Sequence, residues 1–206
     1  MSIVKLNNQA VKNATAFGSI SSLGSMVFIK KLTASSSATL SFVDGSDGVV
    51  LDDTYKEYLF TFKNIHPSAT SHPTMQGSTD TGSSYGVSAT TTTFGAYHTE
   101  SDSVTALGYD TGSDVANSTS FFRLNAWQTI GTNNDDNMGG YLHLFNPSSS
   151  VFVKHFIARV ITGSLDNQPD LYTAGYFNTT NPINAIRFQM DSGNIDAGDI
   201  CLYGIA

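Results

Sequence analysis

The sequence predicts an all-β fold: an antiparallel β-sandwich, jelly-roll-like, with about ten strands and negligible helix. Three observations carry that expectation. Apolar residues recur with a period of two rather than 3.6. The apolar runs are short and rich in β-branched and aromatic residues. Clusters of Gly, Asn, Asp, Ser or Pro bound nearly every run, as turns require.

The elements follow in order. Residues 26–32 and 38–43 open the series. In 57–65, EYLFTFKNI, Tyr58, Phe60 and Phe62 fall on one face and Leu59, Thr61 and Lys63 on the other. Residues 86–94 and 121–130 come next. Residues 139–145 and 151–161 flank Asn146-Pro147-Ser148-Ser149-Ser150, which reads as a short hairpin loop with Pro147 where no ladder donor is needed. Setting Phe145 opposite Val151 puts Tyr141, His143, Val153 and His155 on one face, and Leu142, Leu144, Phe152 and Phe156 on the other. Residues 171–177, 183–190 and 200–205 complete the set. The polar segments 66–85, 99–119 and 163–170 are expected as connections at the ends or rims of the sandwich, where binding usually lives. Composition changes little along the chain, so residues 26–206 are read as a single sandwich domain. Residues 1–25 are read as an N-terminal arm or edge strand, with Ile3, Val4, Leu6 and Phe17 as candidate docking side chains.

Composition narrows the function. A chain of 206 residues with 40% hydrophobic content buries about two-thirds of its unfolded surface without help from a metal or disulfide. Charged residues make up 13%, about half the usual share. Ser, Thr, Asn and Gly supply the polarity instead, which is not the composition of a disordered chain. A net charge of −7 argues against a nucleic-acid partner, since no phosphate counterions would be released. No apolar run reaches the length of a membrane-spanning helix, so no membrane insertion is expected. The opening MSIVKLNNQAVKNATAFG has no apolar h-region, so no signal peptide is expected. Cys201 is the single cysteine and is expected as a small buried hydrophobe. The sequons at Asn13, Asn117 and Asn178 are what an Asn- and Thr-rich chain produces by chance.

The polar chemistry yields no catalytic frame. Glu57 and Glu100 are the two glutamates, and Asp52-Asp53 and Asp135-Asp136 are adjacent pairs. Adjacent carboxylates on a strand diverge, whereas a glycosidase pair must face across a cleft. Asp44-Gly-Ser-Asp47-Gly48 and Asn133-Asn-Asp135-Asp136-Asn137 are oxygen-rich but lack a calcium loop's ligand spacing, so they are read as turns. Of His66, His72, His98, His143 and His155, the pair His143 and His155 comes nearest to a metal site, without an evident third ligand. No nucleophile elbow, zinc helix, P-loop or dinucleotide fingerprint occurs. The expectation is therefore a non-enzyme without cofactor or metal. Trp127, in FFRLNAWQTI, is expected in the core. Tyr85, Tyr97 and Tyr109 lie in or beside polar connections and are the candidates for a glycan or partner contact.

A resemblance sharpens this. Leu51-Asp-Asp-Thr-Tyr55-Lys-Glu-Tyr58-Leu-Phe60, Asn64-Ile-His-Pro67 and Ser78-Thr-Asp-Thr-Gly82-Ser-Ser-Tyr85 occur in that order. Leu144-Phe-Asn-Pro-Ser148, Ala174-Gly-Tyr-Phe177 and the closing Met190-Asp-Ser-Gly-Asn194-Ile-Asp-Ala-Gly198-Asp-Ile-Cys-Leu-Tyr203-Gly-Ile205 follow. Together they resemble a family of small β-sandwich virion proteins of tailed bacteriophages, especially those of marine bacteria and cyanobacteria. The resemblance spans nearly the whole chain, including Ile3-Val-Lys-Leu6. It departs at Ser71-His-Pro-Thr-Met75, where a longer alternating strand is expected. It implies a virion structural protein made in the host cytoplasm, such as a head decoration protein or tail appendage. Its partners would be other virion proteins, in a homotrimer or pseudo-symmetric cluster, and it brings no catalytic residues. Few charges suit a particle in salt water, where surface ion pairs are screened. The alternative is a glycan-binding module that recognises a host surface glycan during attachment.

Overall fold

The computed structural model describes residues 25–125, 127–163 and 167–206. The candidate arm side chains Ile3, Val4, Leu6 and Phe17 lie outside the described residues. The described chain is all β, with twelve strands and no helix: β1 (Met26–Thr33), β2 (Leu40–Val43), β3 (Glu57–Pro67), β4 (Pro73–Ser78), β5 (Ala89–Thr99), β6 (Thr105–Tyr109), β7 (Phe122–Arg123), β8 (Asn137–Phe145), β9 (Lys154–Gly163), β10 (Asn167–Phe177), β11 (Ala185–Met190) and β12 (Ile195–Ile205).

The strands pair into two antiparallel sheets. The large one has the order β1-β12-β3-β8-β9-β10-β5-β6 and the small one β2-β11-β4-β7. Alternation in β3 sends Tyr58, Phe60 and Phe62 inward, all buried, as the sequence pattern requires. The small sheet meets them there. Phe188 of β11 lies edge-on to Phe42 of its own sheet and to Phe60 and Phe62 opposite, at centroid separations of 6.3, 5.4 and 5.4 Å. Further along, Phe122 of β7 stacks on Phe156 of β9 at 5.1 Å. One core therefore runs between two facing sheets. Each large side chain fully buried there contributes roughly 1.5 to 3 kcal/mol.

Two strands arise where connections were expected. β4, PTMQGS, has a single large apolar residue and is nonetheless buried along its whole length. It lies inside the small sheet between β11 and β7. Its polar groups find partners there: Thr74 Oγ1 donates to the Gln189 carbonyl at 3.0 Å. β6 is an edge strand paired only with β5. Residues 167–170, expected in a connection, begin β10.

The β8–β9 register is also wider than expected: His143 faces Ile157, not Val153. Ser149 Oγ accepts the N–H groups of Val151 and Phe152 at 3.2 and 2.9 Å, so residues 151 and 152 belong to the turn. The faces survive this shift because it is an even number of residues. Leu142, Leu144 and Phe156 stay buried, while Phe152 is 68% exposed rather than on the inner face. At Gly140, with φ +146°, a Cβ would stand 2.4 Å from the Arg159 carbonyl oxygen, so glycine permits this close approach of β8 to β9.

Candidate functional site

The small sheet covers one face of the large sheet. Across the other face the pairing register stacks side chains into rows. One row runs Tyr141, Arg159, Tyr172, Phe94, Tyr109. On one side lies Ile161, Asp170, Ala96, Leu107, and on the other His143, Ile157, Ala174, Thr92. Tyr172 and Phe94 stack with centroids 5.1 Å apart and planes within 4°. The Arg159 guanidinium sits over Tyr172 at 5.2 Å and grips Asp170 with two hydrogen bonds of 2.9 and 2.7 Å. That pair holds the Asp170 carboxyl below the usual carboxylate range and cancels the charge at the centre of the face. Around it the surface is apolar: Leu107 is 80% exposed, and Phe94, Tyr109, Tyr141, Ile157 and Ile161 are exposed too.

The three candidate tyrosines occupy separate places. Tyr109 belongs to this outer face, its hydroxyl donating to Asp114 at 2.6 Å, which raises the phenol's pKa. Tyr97 pairs with Ala106 and projects from the opposite side of β5, edge-on to Trp127 at 5.9 Å. Trp127 packs against the core but is only partly buried, and its backbone N–H donates to Asp110 at 2.8 Å. Tyr85 is found near the other end of β5, in the wall of a recess of about 610 Å³. The structure thus builds no single platform from the three.

Two buried side chains brace that recess. Gln76 of β4, fully buried, donates to the carbonyls of Thr119 and Ser120 at 3.1 and 2.9 Å. Lys154 of β9, also fully buried, donates to the carbonyl of Thr179 at 3.1 Å. Loss of hydration pulls the Lys154 pKa below the ordinary lysine value. On a third side Asp80 accepts from Ser78 Oγ and from both Ser84 N and Oγ, at 2.6, 2.9 and 2.5 Å. These donors hold its carboxyl down at about 2. Arg187 lies 3.8 Å from the centroid of the Tyr85 ring and donates to Ser41 Oγ at 3.0 Å.

The histidines and acidic loops are occupied locally. His143 Nδ1 bonds Glu57, and its ring stacks on Phe145, while His155 packs against Tyr176. Asp44 Oδ1 accepts the Leu51 N–H at 2.8 Å, and Asp136 Oδ2 that of Asn133 at 3.2 Å, both closing loops. Among the described residues no group of three or more His, Cys, Asp or Glu could hold a metal ion. Among the described residues, too, no helix is long and apolar enough to cross a membrane.

Comparison with family models, curated proteins and solved structures finds no match to the chain.

The sequence reading passed over Leu107, Ile157 and Ile161. A signal existed in β9. In KHFIARVITG, Phe156, Ala158 and Val160 point inward, while Ile157 and Ile161 flank Arg159 on the outward face, two large aliphatics where a solvated face would carry polar residues.

Proposed function

We propose that the protein is a non-enzymatic surface component of a tailed-bacteriophage virion that assembles with copies of itself through the outer face of its large sheet. The observation that carries this reading is that face: an exposed band of aromatic and aliphatic side chains around an internally neutralised Arg159–Asp170 pair. Monomeric proteins seldom leave so continuous an apolar surface in water, and such surfaces mark association sites. A face whose central charge is already cancelled meets a second copy without like-charge repulsion.

Strand order supports the same reading. With β5, β6, β9 and β10 set aside, β1, β12, β3 and β8 adjoin in one sheet and β2, β11, β4 and β7 in the other. Along the chain the remaining strands cross between sheets in the pattern expected of a jelly roll, an architecture common in viral capsid and lectin domains. β5, β6, β9 and β10 then read as insertions that widen one sheet into the assembly face. Fold alone does not decide function, so the resemblance to small phage virion proteins supplies the particle, and the exposed face supplies the mode of attachment.

Light scattering on the purified protein, with labelling of intact phage particles by an antibody to it, tests the reading. The expected result is a homo-oligomer that Leu107→Lys and Ile157→Lys reduce to a folded monomer, and label on the particle surface. A wild-type monomer at high concentration, or unlabelled particles, would overturn it.

A further inference from the structure

We propose that the recess beside Tyr85 is a binding site for an uncharged, hydroxyl-rich ligand, namely a neutral saccharide unit. This goes beyond the assembly role and stands on different residues. At about 610 Å³ its volume falls within the range of small-ligand sites. It is lined by Ser84, Tyr85, Ser88, Thr119, Asn178 and Thr179, among others, and no charged side chain lines it. Hydroxyl and amide groups both donate and accept, so they suit a ligand that presents hydroxyls of either role. An acidic sugar, a phosphate or a peptide carboxylate would find no cation there.

The second observation is how the walls are held. Gln76 and Lys154 are each 0% exposed. Both spend their polar ends on backbone carbonyls of segments that line the recess, Thr119 on one side and Thr179 on the other. Burying a lysine without a carboxylate is costly. Here its one hydrogen bond among the described residues fixes a wall of the recess. Asp80 closes the segment that carries Ser84, and Asn178 is oriented from behind, its N–H donating to the Ser88 carbonyl at 2.7 Å and its Nδ2 to Asn117 Oδ1 at 3.1 Å. Among the described residues no donor reaches Asn178 Oδ1, which can accept from a ligand hydroxyl. Walls fixed in advance lower the ordering cost of binding a flexible polar ligand. Tyr85 supplies the apolar surface: Arg187 packs over its ring and Phe121 lies 6.5 Å away, and the part of the ring that still lines the recess can meet the C–H face of a sugar.

Titration calorimetry with oligomers of glucose, galactose, mannose and N-acetylglucosamine, against sialylated, uronate and sulfated oligosaccharides, tests the proposal. The wild type should bind at least one uncharged oligomer and prefer it to charged ones. Asn178→Ala should weaken that binding about tenfold, the loss of roughly one hydrogen bond to the ligand. Thr119→Lys should abolish it; its side chain is exposed at the rim, and only its carbonyl is used by Gln76. Val151→Ser, in the β8–β9 turn, should bind as the wild type does. Thermal melting of each variant confirms folding. No binding of any uncharged oligomer at millimolar concentration, a preference for charged ones, or wild-type affinity in both recess variants would overturn the proposal.

Discussion

Phe188 is where the two sheets meet, and Phe188→Ala is the most direct test of that meeting. The ring is 3% exposed and lies edge-on to three others, from Phe42, Phe60 and Phe62. Deleting a buried phenylalanine costs about 3 to 5 kcal/mol in transfer and cavity terms. Each edge-to-face pair is worth roughly 0.5 to 1.5 kcal/mol beyond its area. With contacts on both sheets and rigid strands on each side, the cavity cannot collapse, so the loss is expected near the upper end, about 4 to 5 kcal/mol. Phe188→Leu keeps most of the apolar bulk and loses the ring contacts, an expected cost of about 2 kcal/mol. Urea unfolding, followed by far-UV circular dichroism and Trp127 fluorescence, measures both. In a domain of this size the alanine variant should also melt roughly 8 to 20 °C lower. An alanine variant that loses less than about 1 kcal/mol with an unchanged urea dependence would refute face-to-face packing at this position.

Three further outcomes follow from the same geometry. His72 is buried and paired with Asn125 at 2.9 Å, and loss of hydration pulls its pKa below the usual imidazole value. The unfolded chain therefore takes up this proton first as the pH falls, so stability should decline below about pH 6.5; His72→Gln should remove that part of the decline, and equal pH profiles for both proteins would count against it. Gly140→Ala should cost about 2 kcal/mol or more, from a strained φ and a Cβ forced onto the Arg159 carbonyl; a variant as stable as wild type in urea would show that the strands separate freely. Lys154→Met should be neutral or stabilising by up to about 2 kcal/mol, because a buried ammonium gives way to an apolar chain of similar length. It should also speed amide exchange in residues 179–182. Destabilisation beyond about 2 kcal/mol would mean that the bond to Thr179 outweighs the loss of hydration.

Legibility differed from strand to strand for physical reasons. β3, β8 and β11 were visible because each buries mainly one face, which leaves a stripe of period two in the sequence. β4 was not, because neighbours on every side bury it and its polar groups bond to them, so PTMQGS needs no apolar stripe. β6 was not, because none of the five residues of TALGY is buried, so it needs no apolar stripe. Tyr85 could be chosen from its place beside a polar connection. Gln76 and Lys154, which brace the recess, gave no such sign. A lone glutamine and a lone lysine read as surface residues until the carbonyls they reach are known.

The amino-acid sequence by itself determined the fold class, the inward face of most long strands and a surface solvated by hydroxyls rather than charges. These follow from local periodicity and composition, which each segment carries alone. The tertiary structure decided which strands adjoin, and so which side chains share a surface. Phe94 of β5, Leu107 of β6, and Ile157 and Ile161 of β9 come from three strands, and register alone brings β9 onto one face with the β5–β6 pair. The recess likewise joins residues 79, 84–88, 119 and 178–179. Sites of this kind depend on strand pairing between distant segments, and no local pattern encodes that pairing.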